Sequence, residues 1–185
     1  MTDETRANEG GTGAPPVPDD CNRAPDLTRE YNGNGIVVQW YAGRCIHSAN
    51  CVRALPVVFD PKRRPWIEAT AATADAIAQA VLRCPTGALH FVRTDGGAQE
   101  VPDTPTTATP IRNGPLYVRG DVEVRGLDGR SLRHDTRVAL CRCPHTKKSP
   151  FCDNSCRQER WREPHGATNA PTGGPESAPP SADGG

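Results

Sequence analysis

The stretch Cys141-Arg142-Cys143-Pro144-His145-Thr146-Lys147-Lys148-Ser149-Pro150-Phe151-Cys152-Asp153-Asn154-Ser155-Cys156 holds four of the chain's eight cysteines, spaced C-x-C-x8-C-x3-C. Thiols this close together either cross-link or ligate metal, and the compartment decides which. The N-terminus, MTDETRANEGGTG, has no basic start and no apolar stretch and does not read as a signal peptide. No apolar run reaches the length of about 18 residues that a transmembrane helix needs. The chain is therefore expected in the cytoplasm, where thiols stay reduced and clustered cysteines bind metal. Zinc ribbons use C-x2-C knuckles, so the C-x-C start is unusual for structural zinc.

Working outward, the chain has 185 residues, of which Leu, Ile, Val and Phe together supply 29. That is too little apolar material for one large core. The 18 Gly and 19 Pro gather at the ends and in the middle. Residues 1–29 and 166–185 read as disordered tails, and 96–110, GGAQEVPDTPTTATP, as a flexible linker. Two islands remain, 30–95 and 111–165, each small enough that a metal would help to hold it. The expected fold class is α+β, built from two small metal-cluster domains. A net charge of zero argues against nucleic-acid or membrane-surface binding. Seven cysteines fall inside the islands: Cys45, Cys51 and Cys84 in the first, and Cys141, Cys143, Cys152 and Cys156 in the second. Cys21, alone in the N-terminal tail, reads as a free thiol.

In the first island Ile36-Val37-Val38-Gln39-Trp40 and Ala88-Leu89-His90-Phe91-Val92 read as strands. Between them, 74–84 has a helical pattern with Ile77, Val81 and Cys84 on one face and Asp75 in the first turn. Pro85 stops this helix directly after Cys84, placing that sulfur at a buried helix end where the Cys45–Cys51 loop can reach it. The pattern Cys45-Ile46-His47, Val58-Phe59-Asp60, Pro65-Trp66-Ile67 and Cys84-Pro85-Thr86-Gly87-Ala88-Leu89 resembles the divergent single-cluster ferredoxins. Four-thiolate ferredoxins use C-x2-C-x2-C with a distant C-P, and here Ser48 stands where the middle cysteine would be. The resemblance thus implies three thiolates. They would hold either a [3Fe–4S] cluster or a [4Fe–4S] cluster whose last iron takes Ser48 or His47. The plainer alternative has Ser48 capping a turn and His47 facing solvent.

The second island reads as mostly β, with strands at 116–118, 122–124 and 138–140 and a hairpin turn at Asp128-Gly129. Its cysteine segment resembles the CDGSH-type iron–sulfur domain, whose motif C-x-C-x2-[ST]-x3-P-x-C-D-G-[SAT]-H holds a [2Fe–2S] cluster. Cys141, Cys143, Thr146, Pro150, Cys152, Asp153 and Ser155 are in register with it. Asn154 replaces the glycine, a mild change because Asn also tolerates turn conformations. Cys156 replaces the ligand histidine. If Cys156 ligates, the cluster has a lower potential than a histidine-ligated one and lacks a titratable ligand. If it does not, His145 or a solvent oxygen completes the site. Asp153 reads as the N-cap of a short helix running through Trp161. Arg142, Lys147, Lys148, Arg157, Arg160 and Arg162 make the region basic, either as a docking patch for an acidic redox partner or as a solvated face.

No nucleophile–base pair, phosphate loop or paired carboxylate stands out, so a carrier is expected and not an enzyme. The resemblances imply electron transfer, or storage and transfer of clusters, with redox or cluster-transfer proteins as partners. A zinc-stapled interaction module and a redox sensor are the competing readings. CDGSH domains often pair as homodimers, a contact that a fused first island could replace.

Overall fold

A computed structural model describes residues 26–164. Cys21 and the tail 166–185 lie outside the described residues. Two three-stranded antiparallel sheets follow one another along the chain. The first contains β1 (Arg29–Gly33), β2 (Ile36–Trp40) and β3 (Leu89–Arg93), with β2 in the middle. The second contains β4 (Thr107–Pro110), β5 (Leu116–Arg125) and β6 (Ser131–Leu140), with β5 in the middle. Three short helices complete the elements: α1 (Asn50–Ala54), α2 (Ala74–Val81) and α3 (Ser155–Gln158).

The first core forms where the apolar face of α2 meets the sheet. Ile77 and Val81 are fully buried with Ile36, Val38, Val58, Phe59 and Ile67. Thr73 caps α2 by accepting the Ala76 amide, as a hydroxyl at an N-cap does. The helix ends at Val81, short of the expected 84, because its last turn tightens: the Cys84 amide donates to the Val81 carbonyl at 2.9 Å. The Val58-Phe59 and Trp66-Ile67 segments pair with each other, and Trp66 stacks edge-on against Trp40 with ring centroids 5.2 Å apart.

The second sheet differs from its expected outline in two ways. Strands 116–118 and 122–124 are one strand, β5, whose register shifts between Arg119 and Val122 around Gly120 at φ 136°. Its first strand begins at Thr107, inside the segment read as a linker. That segment is not free: Glu100 is an ion-pair partner of Arg137 at 2.6 Å and of His90 at 3.0 Å, and Asp103 pairs with Arg119 at 2.7 Å. The composition of 96–110 hid this because a single carboxylate with a distant cationic partner leaves no local pattern. Likewise Asp26 and Thr28, assigned to the N-terminal tail, are anchored, Asp26 to Arg44 at 2.7 Å and the Thr28 amide to the Trp40 carbonyl at 2.8 Å.

The two sheets dock through buried charge. Arg137 is 1% exposed. It donates to the carbonyls of Val81 (2.7 Å) and Leu89 (2.9 Å) in the first island and to Glu100. Arg119 donates to the Leu82 carbonyl, so two arginines of the second sheet satisfy the C-terminal carbonyls of α2 and oppose its negative dipole end. Arg133 donates to the Thr86 carbonyl, and Arg44 pairs with buried Asp135 at 3.1 Å. Gly87, at φ 63°, lies so near Asp135 that an added Cβ would sit 2.3 Å from its carboxylate oxygen. His90 lies between Glu100 and Asp135. Burial works against its charge, but the hydrogen bonds to Asp135 and Glu100 outweigh that and hold its pKa at about 9.

Removing one partner of such a buried network leaves the others uncompensated. Arg137→Ala is expected to lower stability by about 3–5 kcal/mol, read as a shift of the urea midpoint of tryptophan fluorescence. His90 also gives a pH signature. Its folded pKa is above its ordinary value of about 6.5, so its contribution is complete below that value. The contribution is lost as pH rises through about 9. The urea midpoint should therefore fall over that interval, and His90→Gln should flatten the fall. A midpoint that is level across it in the unaltered protein would contradict a charged His90.

Candidate metal centres

Two sets of thiols converge. In the first, the Cys45–Cys51 loop begins after a single 3-10 turn (Ala42–Arg44) and leads into α1, while Cys84 comes from the tightened end of α2. His47 (φ 54°) and Ala49 (φ 60°) are both left-handed and curl the loop around Ser48. The three sulfurs are close enough for each other's charge to matter. Burial, then the charge of Cys84, pushes the Cys51 thiol up to about 11, and burial also raises Cys45. The backbone amides of His47 and Val52 oppose these shifts by favouring the thiolates of Cys45 and Cys51. Thr86 Oγ1 lies 3.7 Å from Cys84 Sγ.

Of the two candidates for a further ligand, His47 is exposed, with Nδ1 4.0 Å from Cys45 Sγ. Ser48 is half-buried, and its Oγ accepts the Asn50 amide at 3.5 Å at the start of α1. His47 therefore lies beside Cys45, and Ser48 has the turn-capping contact.

In the second set, Cys141 and Cys143 follow β6 directly, with their sulfurs 3.4 Å apart. Cys152 is returned alongside the strand end by backbone pairing, its amide donating to the Ala139 carbonyl at 2.8 Å. Cys156 lies in α3, buried and hydrogen-bonded to Cys152. Burial, then the charge and hydrogen bond of Cys156, pushes the Cys152 thiol up to about 12, against the Asn154 amide, which donates to its sulfur at 3.4 Å. Burial raises Cys141 as well. His145 is exposed, whereas Cys156 is buried with Cys143 and Cys152.

The cap of α3 differs from expectation. Asn154 occupies the N-cap position in the left-handed conformation, φ 74°, which suits Asn where the motif has Gly. Asp153 instead braces the turn, accepting from the Ser155 amide (3.0 Å), the Ser155 hydroxyl (2.6 Å) and the Lys147 amide (2.9 Å). The helix stops at Gln158, before Trp161, whose ring packs on the cysteine group. Three of the six basic residues are committed to nearby partners, Arg162 donating to the carbonyls of Arg160 and Trp161, each at 3.2 Å. Arg142 pairs with Glu163, and Lys148 donates to the Gly43 carbonyl at 2.7 Å. Lys147, Arg157, Arg160 and Arg162 are exposed.

The donor sets fit iron–sulfur clusters. Buried thiols that resist ionisation need a cation in place of their protons, and backbone amides aimed at sulfur are the hydrogen bonds that tune such clusters. The comparisons with known proteins agree. Residues 31–94 match the family described as divergent 4Fe-4S mono-cluster. A protein of Escherichia coli (strain K12) named "Uncharacterized protein YjdI" is 36% identical over 63 residues, which is 34% of this chain and 83% of that protein. The chain belongs to the divergent 4Fe-4S mono-cluster family. Its residues 113–157 match a second family, the iron-binding zinc finger of CDGSH type. The protein of the same name from Escherichia coli O157:H7 is also 36% identical over 63 residues. The chain is thus an iron–sulfur protein with a mono-cluster domain followed by a CDGSH-type domain.

One residue was missed by reading the cysteines as two separate sites. Ile46, beside Cys45 in the mono-cluster domain, is buried in the second group, with Ala139, Cys143, Cys152 and Cys156. Its only signal in the sequence is its apolar character inside a ligand loop.

The two cores draw on their cysteines unequally. Sixteen buried residues make the first core, and only one of them is a cysteine, whereas three of the five in the second core are cysteines. Removing iron with a chelator under reducing conditions should therefore expose the amides of Cys152 and of α3 to hydrogen exchange while those of β2 and β3 stay protected. Equal loss in both domains would contradict this division.

Proposed function

We propose that the chain carries single electrons between protein partners. It would use a [2Fe–2S] cluster held by Cys141, Cys143, Cys152 and Cys156. A [3Fe–4S] or [4Fe–4S] cluster would be held by Cys45, Cys51 and Cys84, with Ser48 or His47 for a fourth iron. The observation that carries this reading is the pairing of the second set, Cys141 with Cys143 and Cys152 with Cys156. A two-iron cluster takes two protein ligands on each iron, while structural zinc gathers its ligands on one ion. The first set agrees, since a larger cluster spreads its thiolates one to an iron.

When bound, such clusters supply reversible one-electron chemistry. The chain's own residues exclude water, present amides to sulfur and set the local charge. With Cys143, Cys152 and Cys156 each no more than 9% exposed, this arrangement suits retention of a cluster better than its release to a recipient. A thiolate at Cys156 favours a potential below that of histidine-ligated centres. Exposed Lys147, Arg157, Arg160 and Arg162 suit an acidic redox protein. The seven described cysteines are all free thiols, as a reducing compartment such as the cytoplasm would keep them. No helix among the described residues is long and apolar enough to cross a membrane.

Iron, acid-labile sulfide and zinc are to be measured on anaerobically purified protein. About five or six irons per chain with matching sulfide are expected. Zinc without sulfide would overturn the reading in favour of a zinc-stapled module. Cys156→His should raise the potential of the two-iron centre and make its visible absorption acid-labile. An unchanged potential would show that position 156 does not ligate.

A further inference from the structure

The two cysteine sets lie on different domains, yet the side chains between them are shared. Ile46 follows Cys45 directly, is 7% exposed, and packs with Cys143, Cys152 and Cys156. A ligand residue of the first site is therefore one peptide unit from a side chain in the second. Tyr117 on β5 pairs with Ala139 across the sheet and packs on the same group. Its phenol also lies within electrostatic reach of Cys84, besides Cys152 and Cys156.

The docking that holds this arrangement is made by hydrogen bonds and ion pairs between the two domains. Lys148, from the loop between Cys143 and Cys152, donates to the Gly43 carbonyl just before Cys45. Arg133 and Arg137 hold the carbonyls of Thr86 and Leu89 on either side of Gly87. A flexible tether would let the sites drift apart, but 96–110 is itself anchored through Glu100.

We propose that the two sites form one electron-exchanging unit, with Ile46 and Tyr117 as the side chains across which the exchange runs. This rests on the reading of both sites as iron–sulfur clusters. The exchange is balanced within the chain: one site loses an electron and is oxidised, the other gains it and is reduced, and no bond is made or broken. The protein's part is to fix the separation and the intervening atoms. A residue that merely filled the core would leave the exchange unaffected when a non-aromatic apolar side chain replaced it.

The test uses the full chain, anaerobic and with iron and sulfide measured on the same sample. In a potentiometric titration followed by electron paramagnetic resonance, the signal of one site is expected to broaden as the other becomes paramagnetic. Independent, unbroadened signals would overturn the proposal while leaving the cluster assignment intact. Absence of iron and sulfide would overturn the assignment and the proposal together. The route is tested by freeze-quenching after mixing with less than one equivalent of dithionite. The unaltered chain should reach its final distribution of electrons between the sites at the earliest time. Ile46→Ala and Tyr117→Leu should delay it, and Tyr117→Phe, which keeps the ring, should not. If Ile46→Ala fails to fold, the contrast between the two Tyr117 variants still decides. Equally fast distribution in both Tyr117 variants would remove Tyr117 from the route.

Discussion

The fold depends on a guanidinium that has left water. Arg137 lies within the second sheet but spends its hydrogen bonds on the first island, at Val81 and Leu89, and on Glu100. These carbonyls stand on either side of Cys84. One is in the last turn of α2 and the other opens β3, so the arginine sets the shape of the loop that delivers the Cys84 sulfur. Desolvating such a charge is costly unless it is paired, and Glu100 at 2.6 Å supplies the counter-charge, while the guanidinium Nε is buried without a hydrogen-bond partner. Asp135 and Glu100 are both held below the ordinary carboxylate range: burial opposes ionisation, but contacts with His90 and the arginines prevail. Neither domain contains a complete set of these partners.

A consequence for the metal sites is that their geometry is not set domain by domain. The first site takes Cys45 and Cys51 from a left-handed loop and Cys84 from a helix end whose carbonyls the second sheet satisfies. The second site takes its cysteines from the end of β6, a returning loop and a four-residue helix, and then places Ile46 of the other domain among them. In both sites, local backbone in the left-handed region turns amides toward sulfur. That is an inexpensive way to favour a thiolate without a nearby cation, and it is compatible with the net neutrality of the chain.

What could be read in the sequence was whatever local spacing specifies. Strand Ile36–Trp40 coincides with β2, and the periodicity of Ile77 and Val81 identifies the buried face of α2. The cysteine spacings led to the same two families that the comparisons return. The unreadable part was set by distant partners. Glu100 sits among Pro, Thr and Gly and gains meaning from Arg137, 37 residues further on, and from His90, 10 residues back. Asp153 and Asn154 both suit an N-cap, and the choice between them depends on a left-handed turn needed to return Cys156 to its companions. Ile46 looked like spacing between ligands because its contacts come from residues about a hundred positions away.

The division of apolar material explains why the domains are fused so closely. The first island has enough buried side chains to close around α2 without help from its cysteines. The second has a long two-stranded ribbon, β5 with β6, but little to cover it besides Tyr117, Ala139, Trp161 and the cysteines themselves. A ribbon of that kind is marginal in water until a face is packed. Ile46 and the polar surface at the end of α2 supply that packing. The contact that completes the weaker core is the same one that places Ile46, from the Cys45–Cys51 loop, among the cysteines of the second domain, so one interface serves both the packing of that core and the approach of the two cysteine sets.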